Sequence, residues 1–150
     1  MKQLRSFLKD HPKIGLDTSI FIYHFEDHPR YAPLTEWIFN ALEQETNQGV
    51  TSYLTLLEIL TKPKAVGLWQ AVRDYEYYLT TFPNLTILEM GLEVARKASD
   101  LKAAHRIKTP DAIQVATASV YGATGFLTND RGFAGVKELD VALLDQLLKS

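Results

Sequence analysis

Cysteine is absent from the 150 residues, which removes disulfides, thiolate zinc sites and thiol nucleophiles and suits a reducing compartment. Long apolar runs are absent too. The opening "MKQLRSFLKDHP" scatters charges where a signal peptide needs an apolar core, and no later run reaches membrane-spanning length. A soluble, cytoplasmic protein is the expectation. Excess charge of one sign is also missing: 16 Lys and Arg stand against 18 Asp and Glu, a net charge of −2. The total therefore announces no nucleic-acid partner, although a local patch can act where the total does not. No repeat, linker or low-complexity tract divides the chain. Its length suits one domain, residues 1–150, able to bury its own core without a structural metal. Any metal here would serve function.

What is present is a repeated switch between strand-like and helix-like apolar spacing. Residues 13–17, "KIGLD", predict a first strand, and "SIFIYHF" a buried helix after it. Leu34, Trp37, Ile38, Ala41 and Leu42 follow amphipathic helical spacing, which predicts a helix over 33–47 ending near Gly49. "VTSYL" predicts the second strand. Leu56–Thr61 then reads as helix up to Pro63, Ala65 to Leu79 as another helix ending before Pro83, and "LTILE" as the third strand. A helix over 92–106 follows. The next helix reads as capped by Thr109, with Pro110 at its first position and Gly122 just past its end; "ATGFLT" and "LDVALL" complete the strands. Alternation of this kind implies crossover connections, hence an α/β fold with a mostly parallel, about five-stranded sheet covered by helices on both faces.

Ligands of such sheets bind outside the carboxyl ends of the strands, so acids there are the candidates. Asp17 closes the first strand and Asp130 the fourth, while Glu58 and Asp111 lie in the first turns of helices that follow strands or loops. Each also has a structural explanation. Asp17-Thr18-Ser19 suits a helix cap, Thr55-Leu56-Leu57-Glu58 matches a capping box, Asp111 is favoured by the helix dipole, and Asn129-Asp130 makes a good turn. Jointly those explanations weaken, because Ser, Thr or Asn would cap as well. Two carboxylates about 6 Å apart repel by roughly 3 kcal/mol at an effective dielectric near 20. Summed over four acids, that rivals a typical domain's whole stability, so a cation is expected. Oxygen ligands without His or Cys point to Mg²⁺ or Mn²⁺. Such an ion supports metal-dependent phosphodiester hydrolysis.

"GLDTSIFIY", "TLLEIL", "KTPDAIQVATA" and "FLTNDRGF", in this order, resemble the PIN-domain ribonucleases, especially the VapC-type toxins of bacterial and archaeal toxin-antitoxin pairs. The resemblance spans nearly the whole chain. It implies a three-layer α/β/α sandwich and a metal-dependent endoribonuclease whose acidic cluster is Asp17, Glu58, Asp111 and Asp130. Asp17 and Asp111 match the positions most directly tied to the metal, Thr18 and Ser19 follow Asp17 in the first motif, and Thr128 and Asn129 match the supporting part of the last. The chain departs from the family pattern at Gly132, where a further acid is often found. The resemblance also implies an RNA substrate, a homodimer and a small inhibitory antitoxin.

Before the Asp111 motif, Arg96, Lys97, Lys102, Arg106 and Lys108 with His105 face the single acid Asp100, and Lys102, Arg106 and Lys108 are the candidate substrate-binding rim. His24, His28 and His105 are expected to pack or face water. Tyr75, Tyr77 and Tyr78 cannot share one helix face, so at least one must be exposed or covered by a partner. Two other readings compete. An aspartate-nucleophile phosphatase built on Asp17 would need a second Asp two residues on, where Ser19 stands. A PIN-like module without turnover would bind RNA or protein only.

Overall fold

The computed structural model describes residues 1–148, and its first strand explains the layering. In β1 (Lys13–Leu16), Ile14 and Leu16 are fully buried in one apolar cluster, whereas Gly15 between them faces the other side of the sheet. A Cβ on Gly15 would lie 2.6 Å from Ala118 Cβ and 2.6 Å from the Phe126 ring. Only glycine permits that approach of helix to strand. The same alternation recurs in β4 (Gly125–Thr128), where Leu127 joins the first cluster and Phe126 the second.

The first cluster gathers α1 (Lys2–Asp10), α2 (Thr18–Phe25) and α3 (Ala32–Glu43), with contributions from α4 (Tyr53–Ala65), α5 (Trp69–Thr81) and α8 (Leu144–Leu147). The second gathers α6 (Leu92–Ala104), α7 (Thr109–Val120) and the segment from Phe133 to Leu139. Each fully buried Leu, Ile or Phe contributes about 1.5–3 kcal/mol. Between the clusters runs a sheet in the order β3-β2-β1-β4-β5, with β2 at Gln48–Ser52, β3 at Leu85–Leu88 and β5 at Asp140–Leu143, and every pair parallel. This is the expected three-layer α/β/α arrangement, here all-parallel rather than mostly so. Among the described residues no helix is long and apolar enough to cross a membrane.

Three local expectations are corrected, and one helix was not anticipated. The second strand ends at Ser52, and Tyr53 and Leu54 already belong to α4. Pro63 lies inside α4 instead of ending it; it falls in the last turn, where little helix remains to be disrupted. Thr109 is the first residue of α7 rather than its cap, which is Lys108, with no side-chain capping bond. Residues 2–10, which carried no helix expectation, form α1. Gly122 does follow α7, at φ +90°. Of the three tyrosines, Tyr77 is 71 % exposed, while Tyr75 stacks on Phe25 at 4.6 Å and Tyr78 packs against Phe39 and Phe82.

Candidate active site

The carboxyl ends of β1 and β4 lie side by side, with Leu16 opposite Leu127, so the residues that follow them meet. Asp17 caps α2. It is buried, its Oδ1 accepting from the Thr18 N–H at 2.8 Å and its Oδ2 from the Thr128 hydroxyl at 2.7 Å. Ser19 Oγ stands 3.4 Å from Oδ2. Thr128, itself buried, also accepts from the Asp130 N–H at 3.1 Å. One hydroxyl therefore holds two acids in register. Asp130 in turn caps the short 3₁₀ turn Arg131–Phe133, its Oδ1 accepting from the Gly132 N–H at 2.8 Å.

Asp111 enters from the first turn of α7. A Cβ on Gly132 would lie 3.1 Å from Asp130 Oδ1 and 3.6 Å from Asp111 Oδ2, so both carboxylates border the same small space. Glu58 arrives from the opposite side, on α4, with Oε1 accepting from the Thr18 hydroxyl at 2.8 Å. That bond overturns the capping-box alternative: the cap of α4 is Ser52, whose hydroxyl accepts from the Leu54 N–H, and Thr55 is already helical.

The four acids share one electrostatic neighbourhood. Burial pushes Asp111 up to about 6, Asp130 and Asp17 add to the shift, Lys108 opposes it, and Glu58 adds the least. Burial also raises Asp17, opposed by its bonds from Thr128 and Thr18 and reinforced by Glu58 and Asp130. Ionising all four in close company is costly, and a divalent cation among them would remove that cost. The donor set, carboxylate oxygens without His or Cys, suits a hard ion. Among the described residues no group of three or more such side chains is arranged to hold a metal by itself.

This geometry meets an independent likeness: the PIN domain family model matches residues 14–139. The chain belongs to the PIN-domain family. No curated protein matches it in sequence. In fold, this PIN domain is similar to a chain of a DNA-bound VapBC structure from Salmonella typhimurium, at 18% identity and TM-score 0.70, over 88% of this chain and 98% of that one. It is also similar to a chain of a toxin-antitoxin complex from Klebsiella pneumoniae, at 21% identity and TM-score 0.66, over 88% and 97%, and to one of VapBC-1 from nontypeable Haemophilus influenzae, at 18% identity and TM-score 0.66, over 89% and 98%.

Not every sequence candidate of this PIN domain reaches the acids. Asn129 points elsewhere, its Oδ1 accepting from the Asp145 N–H at 3.0 Å and its amide 3.4 Å from the Tyr23 hydroxyl, so it anchors α8 to the loop that carries Asp130. In the rim, Lys102 Nζ donates to the Ile107 carbonyl at 3.1 Å, Arg106 is exposed, and Lys108 alone of the three acts on Asp111. His24 packs on Phe39 and binds Thr35, and His105 pairs with Glu138 at 2.9 Å. Sequence reasoning missed Gln114, which is buried and three residues along α7 from Asp111, hence on the same face. The available signal was a glutamine within the otherwise apolar run "AIQVATA".

Proposed function

We propose that this protein is a metal-dependent endoribonuclease of the VapC type, cleaving RNA phosphodiesters in the cytoplasm as the toxin of a toxin-antitoxin pair. The observation that carries the reading is the gathering of carboxylates at the carboxyl end of the sheet, where burial, reinforced by Asp130 and Asp17, raises Asp111 to about 6. Asp17 and Asp111, with Glu58 and Asp130, would hold Mg²⁺ or Mn²⁺. When bound, such an ion activates water and neutralises charge on a phosphodiester. The chain's own residues position the acids: Thr128 spaces Asp17 from Asp130, Thr18 orients Glu58, Ser19 stands by Asp17, and Asn129 fixes the loop. Lys102, Arg106 and Lys108 supply positive charge beside α7 for the substrate backbone.

An antitoxin partner is supported by the toxin-antitoxin complexes among the similar structures. A groove of about 260 Å³ beside Glu58, lined by Ile22, Phe25, Leu68 and Tyr75 among others, offers room for an inserted segment. Leu57, Trp69 and Tyr77, more than half exposed on α4 and α5, leave apolar area for a second copy.

A module without turnover, binding RNA or protein only, is the second reading. The phosphatase reading is weaker, because the second Asp it needs two residues after Asp17 is Ser19. The deciding experiment incubates partner-free protein with mixed structured RNAs and Mg²⁺ or Mn²⁺, beside an EDTA control and the Asp17→Asn and Asp111→Asn variants. Cleavage that needs metal and vanishes in both variants is expected. Absence of both cleavage and Mn²⁺ binding transfers the conclusion to the module without turnover.

A further inference from the structure

Beneath the acids lies a layer of buried, uncharged polar side chains: Thr18, Thr51, Ser52, Thr55 and Gln114. Counting protons assigns the direction of each bond among them. Thr51 donates to the Leu16 carbonyl at 2.9 Å, so across its 2.7 Å contact with Thr55 it accepts. Thr55 has then spent its proton and accepts from Gln114 Nε2 at 2.8 Å. Because Thr55 can only accept, Gln114 Nε2 faces it and Oε1 faces Ser52, whose hydroxyl donates at 3.0 Å. The remaining amide proton goes to Thr18 Oγ1 at 3.2 Å. The Glu58 carboxylate can only accept, so Thr18 donates its own proton to Oε1 at 2.8 Å rather than across the longer 3.2 Å contact with Thr55, which already accepts from Gln114.

Glu58 is an exposed, long side chain, and the Thr18 bond is its one hydrogen bond among the described residues. Left free, such a side chain would retain most of its rotamer freedom. We propose that Gln114 is a positioning residue of the acid cluster: its amide, oriented by Thr55, donates to Thr18 and to the competing acceptor Thr55, leaves Glu58 as the partner for the Thr18 proton, and so aims that carboxylate into the site. The inference rests on the nuclease reading above and adds a residue that does not itself touch metal or substrate.

The test compares wild type, Gln114→Leu, Glu58→Gln and the double variant, each checked by thermal melting for a folded chain. Should Gln114→Leu fail to fold, Gln114→Glu keeps the shape while accepting where the amide donated, which turns the Thr18 proton away from Glu58. Mn²⁺ affinity, measured by calorimetry without RNA, falls by about tenfold to a hundredfold in the Gln114 variant. In the Glu58→Gln background the same change costs nothing further, and on an RNA that wild type cuts the loss is in kcat with KM unchanged. Losses that simply add, or a lowered melting temperature with intact affinity, overturn the inference. Wild type that neither binds Mn²⁺ nor cuts RNA overturns the nuclease reading and this inference together; wild type that does both, beside an unaffected Gln114 variant, overturns the inference alone.

Discussion

The two ends of the sheet use polar residues in opposite ways. At the amino end, Asn47 is buried and its amide donates to the carbonyls of Leu8 and His11, both at 2.8 Å. Close by, the His11 ring bridges the Thr124 hydroxyl and the Asp140 carboxylate, each at 2.8 Å. Donors there meet acceptors, and α1 is clamped to the strands. At the carboxyl end, acids face acids, and burial raises two of them. The first arrangement serves folding. The second opposes it until something positive arrives, which is the mark of a site kept for chemistry.

The sharpest way to break the contrast is to neutralise the acidic end. Asp17→Asn and Asp111→Asn are each expected to lower single-turnover RNA cleavage by about 10³-fold, comparable to removing a main stabiliser of developing charge, while the metal-free protein melts no lower. A cation should relieve the same strain: Mn²⁺ at about 100 times its Kd raises unfolding free energy by about 2.7 kcal/mol, read as a shift in urea midpoint that EDTA reverses. The pH dependence follows from Asp111, raised from 3.8 to about 6. Between those values the folded chain holds a proton that the unfolded chain has released, so metal-free stability falls as pH rises through that window. Urea titrations across it should show the fall in wild type and a shallower one in Asp111→Asn.

Damage at the amino end should do the reverse. Asn47→Ala leaves two carbonyls without their donor and is expected to cost about 1–3 kcal/mol by urea denaturation, with metal-dependent cleavage unchanged at temperatures where it stays folded. The smallest expected effect concerns the rim. Reversing charge at Arg106 or Lys108 should weaken RNA binding and reduce its salt slope by about 1 for each phosphate no longer neutralised, measured by anisotropy; an unchanged slope removes that residue from the rim.

Residues whose role is periodic were legible in the sequence, and residues whose role is relational were not. The strands and most helices follow from apolar spacing, and the acids follow from their places after strands. α1 escaped notice because only Leu4, Phe7 and Leu8 are buried among charged neighbours, too thin a stripe to stand out. Glu58 was legible as an acid near the site, but its structural role was misread, since β-forming "VTSYL" hid the true helix start at Ser52. Gln114 was invisible for a deeper reason. Its partners lie 62, 59 and 96 residues away in sequence, and no local pattern encodes a hydrogen bond closed only by tertiary packing.

The pairing of β1 with β4 has a consequence in time as well as in space. The fourth strand to be made lies directly against the first, and it brings both Thr128, which holds Asp17, and the loop bearing Asp130. A chain emerging from the ribosome carries Asp17, Glu58 and Asp111 before that strand exists. Until it is inserted, β1 has an open edge and its aspartate lacks the hydroxyl that fixes it. Synthesis order thus puts the hydroxyl that holds the first acid, and the last acid itself, on the fourth strand to be made and the loop after it.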